Sequence, residues 1–195
     1  MALTETKKDF LKDLDLDENA SYPALEIMSD GETKYLRDLR INAKNVLSST
    51  NIQPKESYLL ALAVAVNEKN DTLIKSFSDK SKDLGATDAE LAETYACASQ
   101  LAANNVFYRF RHFTKESNSV YQTMPAGIKM NVMMNPILGK EFFELMSLVV
   151  SAVNGCESCV NSHEESVRKL GSSDARIFDS IRLASVIRGL ALVVR

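Results

Sequence analysis

Residues 146–185 read MSLVVSAVNGCESCVNSHEESVRKLGSSDARIFDSIRLAS, and the order of signals in this segment occurs a second time in the chain. An apolar stretch ends at VN, a polar stretch ends at LG, an Asp follows four residues after that Leu, and a third stretch reaches AS. Residues 60–99, LALAVAVNEKNDTLIKSFSDKSKDLGATDAELAETYACAS, follow the same order. Because the apolar residues recur at helical spacing, the pattern predicts two degenerate copies of a three-helix unit.

The two copies differ at the break between their first and second helices. An alignment on VN, which requires one residue of slip before LG, places Cys156, Cys159 and His163 opposite Lys69, Thr72 and Ser76. The second copy alone therefore carries a thiol pair with a neighbouring imidazole. We expect any thiol chemistry in this half of the chain.

The rest of the chain also has helical rather than alternating spacing, and 7 Gly and 4 Pro leave long uninterrupted stretches. A hydrophobic content of 45% is sufficient for a real core. The sequence therefore predicts an all-α fold, in which Thr87 and Glu90 form a capping box at the start of a helix that reaches about Phe107. The predicted organisation is a single domain over 1–195, with N-terminal helices in 1–50, a redox-silent repeat in 56–110 and the repeat with the CxxC pair in 141–195.

Charge and targeting signals restrict the partners and the compartment. The formal net charge is -3 and there is no dense run of Lys or Arg, which argues against a nucleic-acid or anionic membrane partner. The first residues lack the apolar core of a signal peptide, and no apolar run reaches the ~20 residues that span a bilayer. We therefore expect a cytoplasmic protein. There a close pair of cysteines is more often catalytic, redox-active or metal-binding than a structural disulfide.

The spacing of the thiols indicates how they are arranged. Asn154 and Gly155 form a natural helix end, so Cys156 is expected in or near the first turn of a new helix, where a cysteine pKa falls from ~8.5 toward neutrality. Cys159 lies three residues beyond Cys156, and His163 four beyond Cys159, so the three side chains share one stripe of that helix. This spacing predicts a reversible disulfide between the two cysteines.

Other candidate residues have two readings. Glu144, in the preceding apolar helix, either lies on a solvated edge or points between the helices and orients His163, and the residues leave this question open. Cys97 lies in an apolar stripe and is expected to stay a buried, reduced thiol.

Structural zinc normally needs four ligands. Beyond Cys156, Cys159 and His163, the candidate zinc ligands are Cys97 and His112, both distant in sequence, so redox chemistry is favoured over zinc binding. The methionine-rich segment MNVMMNP reads as core or oligomer-interface residues.

The segment ELMSLVVSAVNGCESCVNSHEESVRKLG, residues 144–171, closely resembles the active-site segment of the alkyl hydroperoxidase D (AhpD) family, with the pattern E-x11-C-x2-C-x3-H. This family lies within the wider carboxymuconolactone decarboxylase fold. NNVFYRFRHF and MPAGIKMNVMMNP are also similar to segments of that family. The resemblance extends from about Glu56 to the C-terminus and implies an AhpD-like, all-helical and oligomeric domain.

The resemblance also implies roles for the site residues. Cys159 matches the peroxidatic cysteine, which becomes a sulfenic acid, and Cys156 matches the proton donor and resolving cysteine with which it forms a disulfide. His163 and Glu144 match the proton relay. Ser158 stands where some members have a histidine, so the relay branch through this position is left open. The implied substrates are alkyl hydroperoxides.

The partners follow from the same resemblance. It implies no bound cofactor or metal, an external dihydrolipoyl reductant carried by a lipoylated protein, and a peroxiredoxin of the alkyl hydroperoxide reductase system that is recycled. The assembly would be a homotrimer or a multiple of it. Two alternatives remain: a non-catalytic CxxC module that binds zinc or senses thiols, and a decarboxylase-type member of the same fold, a chemistry that does not need a CxxC pair.

Overall fold

The computed structural model describes residues 3–118 and 120–195, and within these residues it contains α-helices and one short 3-10 helix but no β-strand. The all-α prediction is confirmed. The helices are α1 (Leu3–Asp13), α2 (Pro23–Asp30), α3 (Tyr35–Leu47), α4 (Pro54–Asn67), α5 (Asp71–Asp83), α6 (Asp88–Phe113), α7 (Val120–Thr123), α8 (Lys140–Val153), α9 (Glu157–Lys169) and α10 (Asp174–Val193), and the 3-10 helix is Asn131–Met133.

The two three-helix units are α4–α6 and α8–α10, and their spacing is constant. Each helix of the second unit begins 86 residues after its counterpart, at Lys140, Glu157 and Asp174 against Pro54, Asp71 and Asp88. The first helix of each unit has 14 residues and the second has 13. The constant spacing leaves no slip between the two units.

The alignment on the VN dipeptide is therefore wrong by one residue. Lys69 and Gly155, which are 86 residues apart, both adopt the left-handed conformation that ends the first helix, with φ of 57° and 66°. The residues that follow them, Asn70 and Cys156, are both helix N-caps. The backbone break fixes the register, and the true counterparts of Cys156, Cys159 and His163 are Asn70, Leu73 and Phe77 rather than Lys69, Thr72 and Ser76.

This register shows what the cysteine replaces. The side chain of Asn70 accepts a hydrogen bond from the amide N–H of Leu73 at 2.9 Å, which satisfies one of the unpaired donors at the start of α5. Cys156 lies at the same position of α9 and makes no side-chain cap bond. The fold thus places a sulfur where the first unit has a capping amide.

The N-terminal helices and both units share one apolar core, which extends from Phe10 to Val194. Helix α3 contacts α4 and α10, and α8 packs against α4, α6, α9 and α10. Most of α8 is buried, including Glu144, Ser147 and Ser151 among its polar residues. Among the described residues, no helix is long and apolar enough to cross a bilayer.

Helix α6 ends at Phe113, six residues beyond the predicted Phe107, because no Gly or Pro interrupts it there. The chain then returns along α6 before α8 begins. The buried carboxylate of Glu93 accepts hydrogen bonds from the amide N–H groups of Ile137 and Leu138, at 2.8 and 2.7 Å. These bonds attach the end of the connecting segment, residues 114–139, to α6.

Candidate active site

The thiol pair lies at the start of α9. Cys156 is the N-cap and Cys159 is the third residue of the helix, with Cα atoms 5.3 Å apart, and a disulfide joins them. The amide N–H of Cys156 donates to the carbonyl of Ser151 at 3.1 Å, across the left-handed turn at Gly155. The end of α8 and the start of α9 therefore hold both sulfurs in a defined place.

Side chains of α6 brace this turn. The guanidinium of Arg109 donates to the carbonyl oxygen of Asn154 at 2.7 Å. The side-chain Nδ2 of Asn154 donates to Asn105 Oδ1 at 2.9 Å, and Asn105 Nδ2 donates to Ser151 Oγ at 2.9 Å. Sequence reasoning missed Asn105 and Arg109; the available signal was two consecutive asparagines within an otherwise apolar stretch of α6.

Glu144 and His163 are in direct contact, which answers the question that the sequence left open. Glu144 Oε2 lies 2.7 Å from His163 Nδ1, and the glutamate is 6% exposed. Burial raises the pKa of Glu144, but the hydrogen bond and charge of His163, with a smaller effect of Lys140, outweigh it, so that this pKa lies below its ordinary value. An ionised carboxylate on Nδ1 holds the tautomer in which Nε2 is free to accept a proton.

A pocket of about 340 Å³ lies beside the second cysteine. Its wall includes Leu101, Tyr108, Met130, Met133, Cys159 and His163. Met130 and Met133 were expected in the core or an interface; both lie on the wall of this pocket, and Met133 also packs against the core. Among the described residues, the wall includes Cys159 but not Cys156, which is 0% exposed. A molecule in the pocket would therefore reach Cys159 before Cys156.

The remaining sequence candidates lie elsewhere. Cys97 is buried and free, with Sγ 3.7 Å from Ser147 Oγ, and burial raises its pKa to about 12. His112 is partly exposed, and its Nε2 lies 3.4 Å from Glu157 Oε2. Within the part of the chain that the structure describes, no group of three or more His, Cys, Asp or Glu side chains is arranged to hold a metal ion.

This geometry predicts which thiols respond to peroxide. A mild peroxide treatment of the reduced protein should consume the thiols of Cys156 and Cys159 and leave Cys97 reduced, because a buried thiol with a raised pKa is rarely a thiolate. Thiol counting before and after treatment, with mass spectrometry of the modified peptides, checks this result. Loss of all three thiols together, or of Cys97 first, would contradict it.

Comparison with known proteins places this site in a family context. Residues 121–195 match the sequence model of the carboxymuconolactone decarboxylase family. The chain is 35% identical over 171 residues to the alkyl hydroperoxide reductase AhpD of Rhodopseudomonas palustris (strain BisB18), covering 88% of this chain and 93% of that protein. It is 38% identical over 172 residues to the protein of the same name from Coxiella burnetii (strain RSA 493 / Nine Mile phase I), covering 87% and 96%. The AhpD of Brucella canis is 36% identical over 161 residues.

Proposed function

The chain belongs to the AhpD family of alkyl hydroperoxide reductases, and on that premise we propose that it reduces alkyl hydroperoxides through a two-thiol cycle at Cys156 and Cys159. One observation carries the proposal. The wall of a largely apolar pocket contains Cys159 together with His163, and the carboxylate of Glu144 is hydrogen-bonded to Nδ1 of that histidine. A nucleophile, a base and a group that orients the base are thus assembled where an alkyl chain can enter.

The cycle begins with proton transfer. Nε2 of His163 takes the proton of Cys159, directly or through a water, and Glu144 stabilises the resulting imidazolium. The thiolate attacks the outer oxygen of the hydroperoxide, which releases an alkoxide and leaves a sulfenic acid on Cys159. Cys156 then condenses with the sulfenic acid, and this step gives the disulfide and water.

An external dithiol completes the cycle by thiol–disulfide exchange. We assign this step to a dihydrolipoyl group on a lipoylated protein, in a reducing compartment such as the cytoplasm. We also assign to the reduced Cys156–Cys159 pair the recycling of a peroxiredoxin of the alkyl hydroperoxide reductase system. A homotrimer, or a multiple of it, stays a prediction that light scattering in solution checks.

The test is an assay of dihydrolipoamide oxidation. The purified protein should oxidise dihydrolipoamide when tert-butyl hydroperoxide is added, and a peroxiredoxin should increase the rate if the protein recycles it. The variant in which both Cys156 and Cys159 are alanine is the control for direct oxidation of the dithiol. A wild-type rate no faster than that of the control would refute the proposal.

The alternatives give different results in simple measurements. A zinc-binding module would carry about one zinc per chain in metal analysis and would lose reactive thiols on loading. A thiol sensor would be oxidised by peroxide once but would not turn over with dihydrolipoamide. A decarboxylase-type enzyme would keep its activity when both cysteines are replaced.

A further inference from the structure

The burial of Cys156 raises a question about the proton that the leaving alkoxide must receive. Protonation of an alkoxide is a large part of the driving force for cleaving the O–O bond, and the proton must arrive as the bond breaks. In the structure, which holds the two cysteines as a disulfide, Cys156 is 0% exposed, and the pocket wall includes Cys159 but not Cys156. The thiol of Cys156 therefore needs an intermediary to reach a substrate that lies in the pocket.

Ser158 occupies the position of such an intermediary. Its hydroxyl oxygen lies 3.7 Å from the sulfur of Cys156, which is part of the disulfide here, and Ser158 is also on the wall of the pocket. The same hydroxyl is therefore within hydrogen-bond range of the Cys156 sulfur when the disulfide is reduced without a shift of the helix start. Resting on the proposed function, we propose that Ser158 is a catalytic residue that passes a proton from the thiol of Cys156 to the leaving alkoxide.

The protons and electrons of this step balance. The Cys159 thiolate forms a bond to the outer oxygen of R–O–O–H, the O–O bond breaks, and the products are Cys159–S–OH and RO⁻. The Ser158 hydroxyl gives its proton to RO⁻, forming ROH, and takes the proton of Cys156. Cys156 is now a thiolate that attacks the sulfenic sulfur, and the displaced hydroxide takes the proton held by His163 and leaves as water. The hydroperoxide is reduced by two electrons and the two thiols are oxidised to a disulfide.

The position of Cys156 on α9 suits this transfer. As the N-cap it lies against the unpaired amide N–H groups of the first turn, which favour a negative charge on the sulfur. Loss of its proton to Ser158 is therefore favoured at the moment when the thiolate is needed for the next step. Ser162 is also on the pocket wall, and it provides an internal comparison.

The test compares two oxidants in single turnover with the reduced protein. Oxidation of Cys159 in Ser158→Ala by tert-butyl hydroperoxide should be at least ~10-fold slower than in the wild type, because the tert-butoxide leaving group needs a proton. Oxidation by peracetic acid should change little, because its leaving group is acetate, a stable anion at neutral pH. Ser158→Thr, which keeps the hydroxyl, should restore the rate with tert-butyl hydroperoxide. Ser166→Ala, which removes a hydroxyl from the same helix away from the pocket, is the control.

Several outcomes would overturn the proposal. Equal slowing with both oxidants would mean that Ser158 has a structural effect, and wild-type rates with both would mean that another group, such as the imidazolium of His163, protonates the alkoxide. A selective loss in Ser162→Ala in place of Ser158→Ala would move the role to Ser162. Failure of the proposed function itself is a different result: the wild-type protein would then not react with tert-butyl hydroperoxide at all.

Discussion

Replacement of Cys159 by serine should abolish peroxide reduction, whereas replacement of Cys156 by serine should leave a protein that is oxidised once. The reason is that Cys159 lies on the pocket wall and Cys156 is buried behind it. A serine hydroxyl at position 159 is not ionised at neutral pH and cannot form a sulfenic acid. In Cys156→Ser the sulfenic acid on Cys159 has no partner thiol and should persist, so that a dimedone-type reagent traps it.

Mass spectrometry after one equivalent of peroxide measures this difference. The Cys156→Ser protein should carry the adduct on Cys159, and the Cys159→Ser protein should carry none. Cys97→Ser is the matched control, since it removes a thiol outside the pocket and should keep the wild-type rate. An adduct on Cys156 in the Cys159→Ser protein would reverse the two roles.

The second large effect is expected from changes to Glu144 and His163, which contact each other beside the pocket. Glu144→Gln and His163→Gln should each slow the oxidation of Cys159 by ~100-fold or more near neutral pH, because a positioned base contributes about that much. The double variant should be little slower than either single one, because an oriented base and the group that orients it act as one unit. Ser158→Ala is expected to have a smaller effect than these changes.

The rate of Cys159 alkylation as a function of pH separates a relay from a structural role. We expect an imidazolium at His163 to stabilise the Cys159 thiolate, so alkylation should begin at lower pH in the wild type than in either variant. Glu157→Gln, a change of an exposed acid between the two cysteines, is the control. Circular dichroism should show the same helix content throughout. If both relay variants keep the wild-type profile, the thiolate is produced by the helix start alone.

Local signals were sufficient for much of the fold. The capping box at Thr87 and Glu90 is present, and Pro54 opens α4 in the first-turn position that its fixed φ favours. The spacing of Cys156, Cys159 and His163 depends on one helix and is read directly from the chain. These features were predictable because each is determined by residues within a turn or two.

The contacts between distant segments were not predictable in this way. Whether Glu144 points at His163 depends on how α8 packs against α9, which no local pattern specifies. The bonds from Asn105 and Arg109 to the turn before Cys156 come from another helix. The alignment of the two repeats was one residue off because it paired the identical VN dipeptides. The structural register is set instead by the left-handed residues Lys69 and Gly155.

The pocket takes part of its wall from α6 and from the connecting segment, so it would not survive excision of the half of the chain that carries the cysteines. A fragment of residues 140–195 would keep both cysteines, His163 and Glu144. It would lose Leu101 and Tyr108 from one side of the pocket and Met130 and Met133 from another. It would also lose the groups of α6 that hold the turn before Cys156. The four candidate site residues lie in one half of the chain, but the pocket beside them also needs α6 and the connecting segment. We therefore expect the isolated half to lack the pocket even if its helices form.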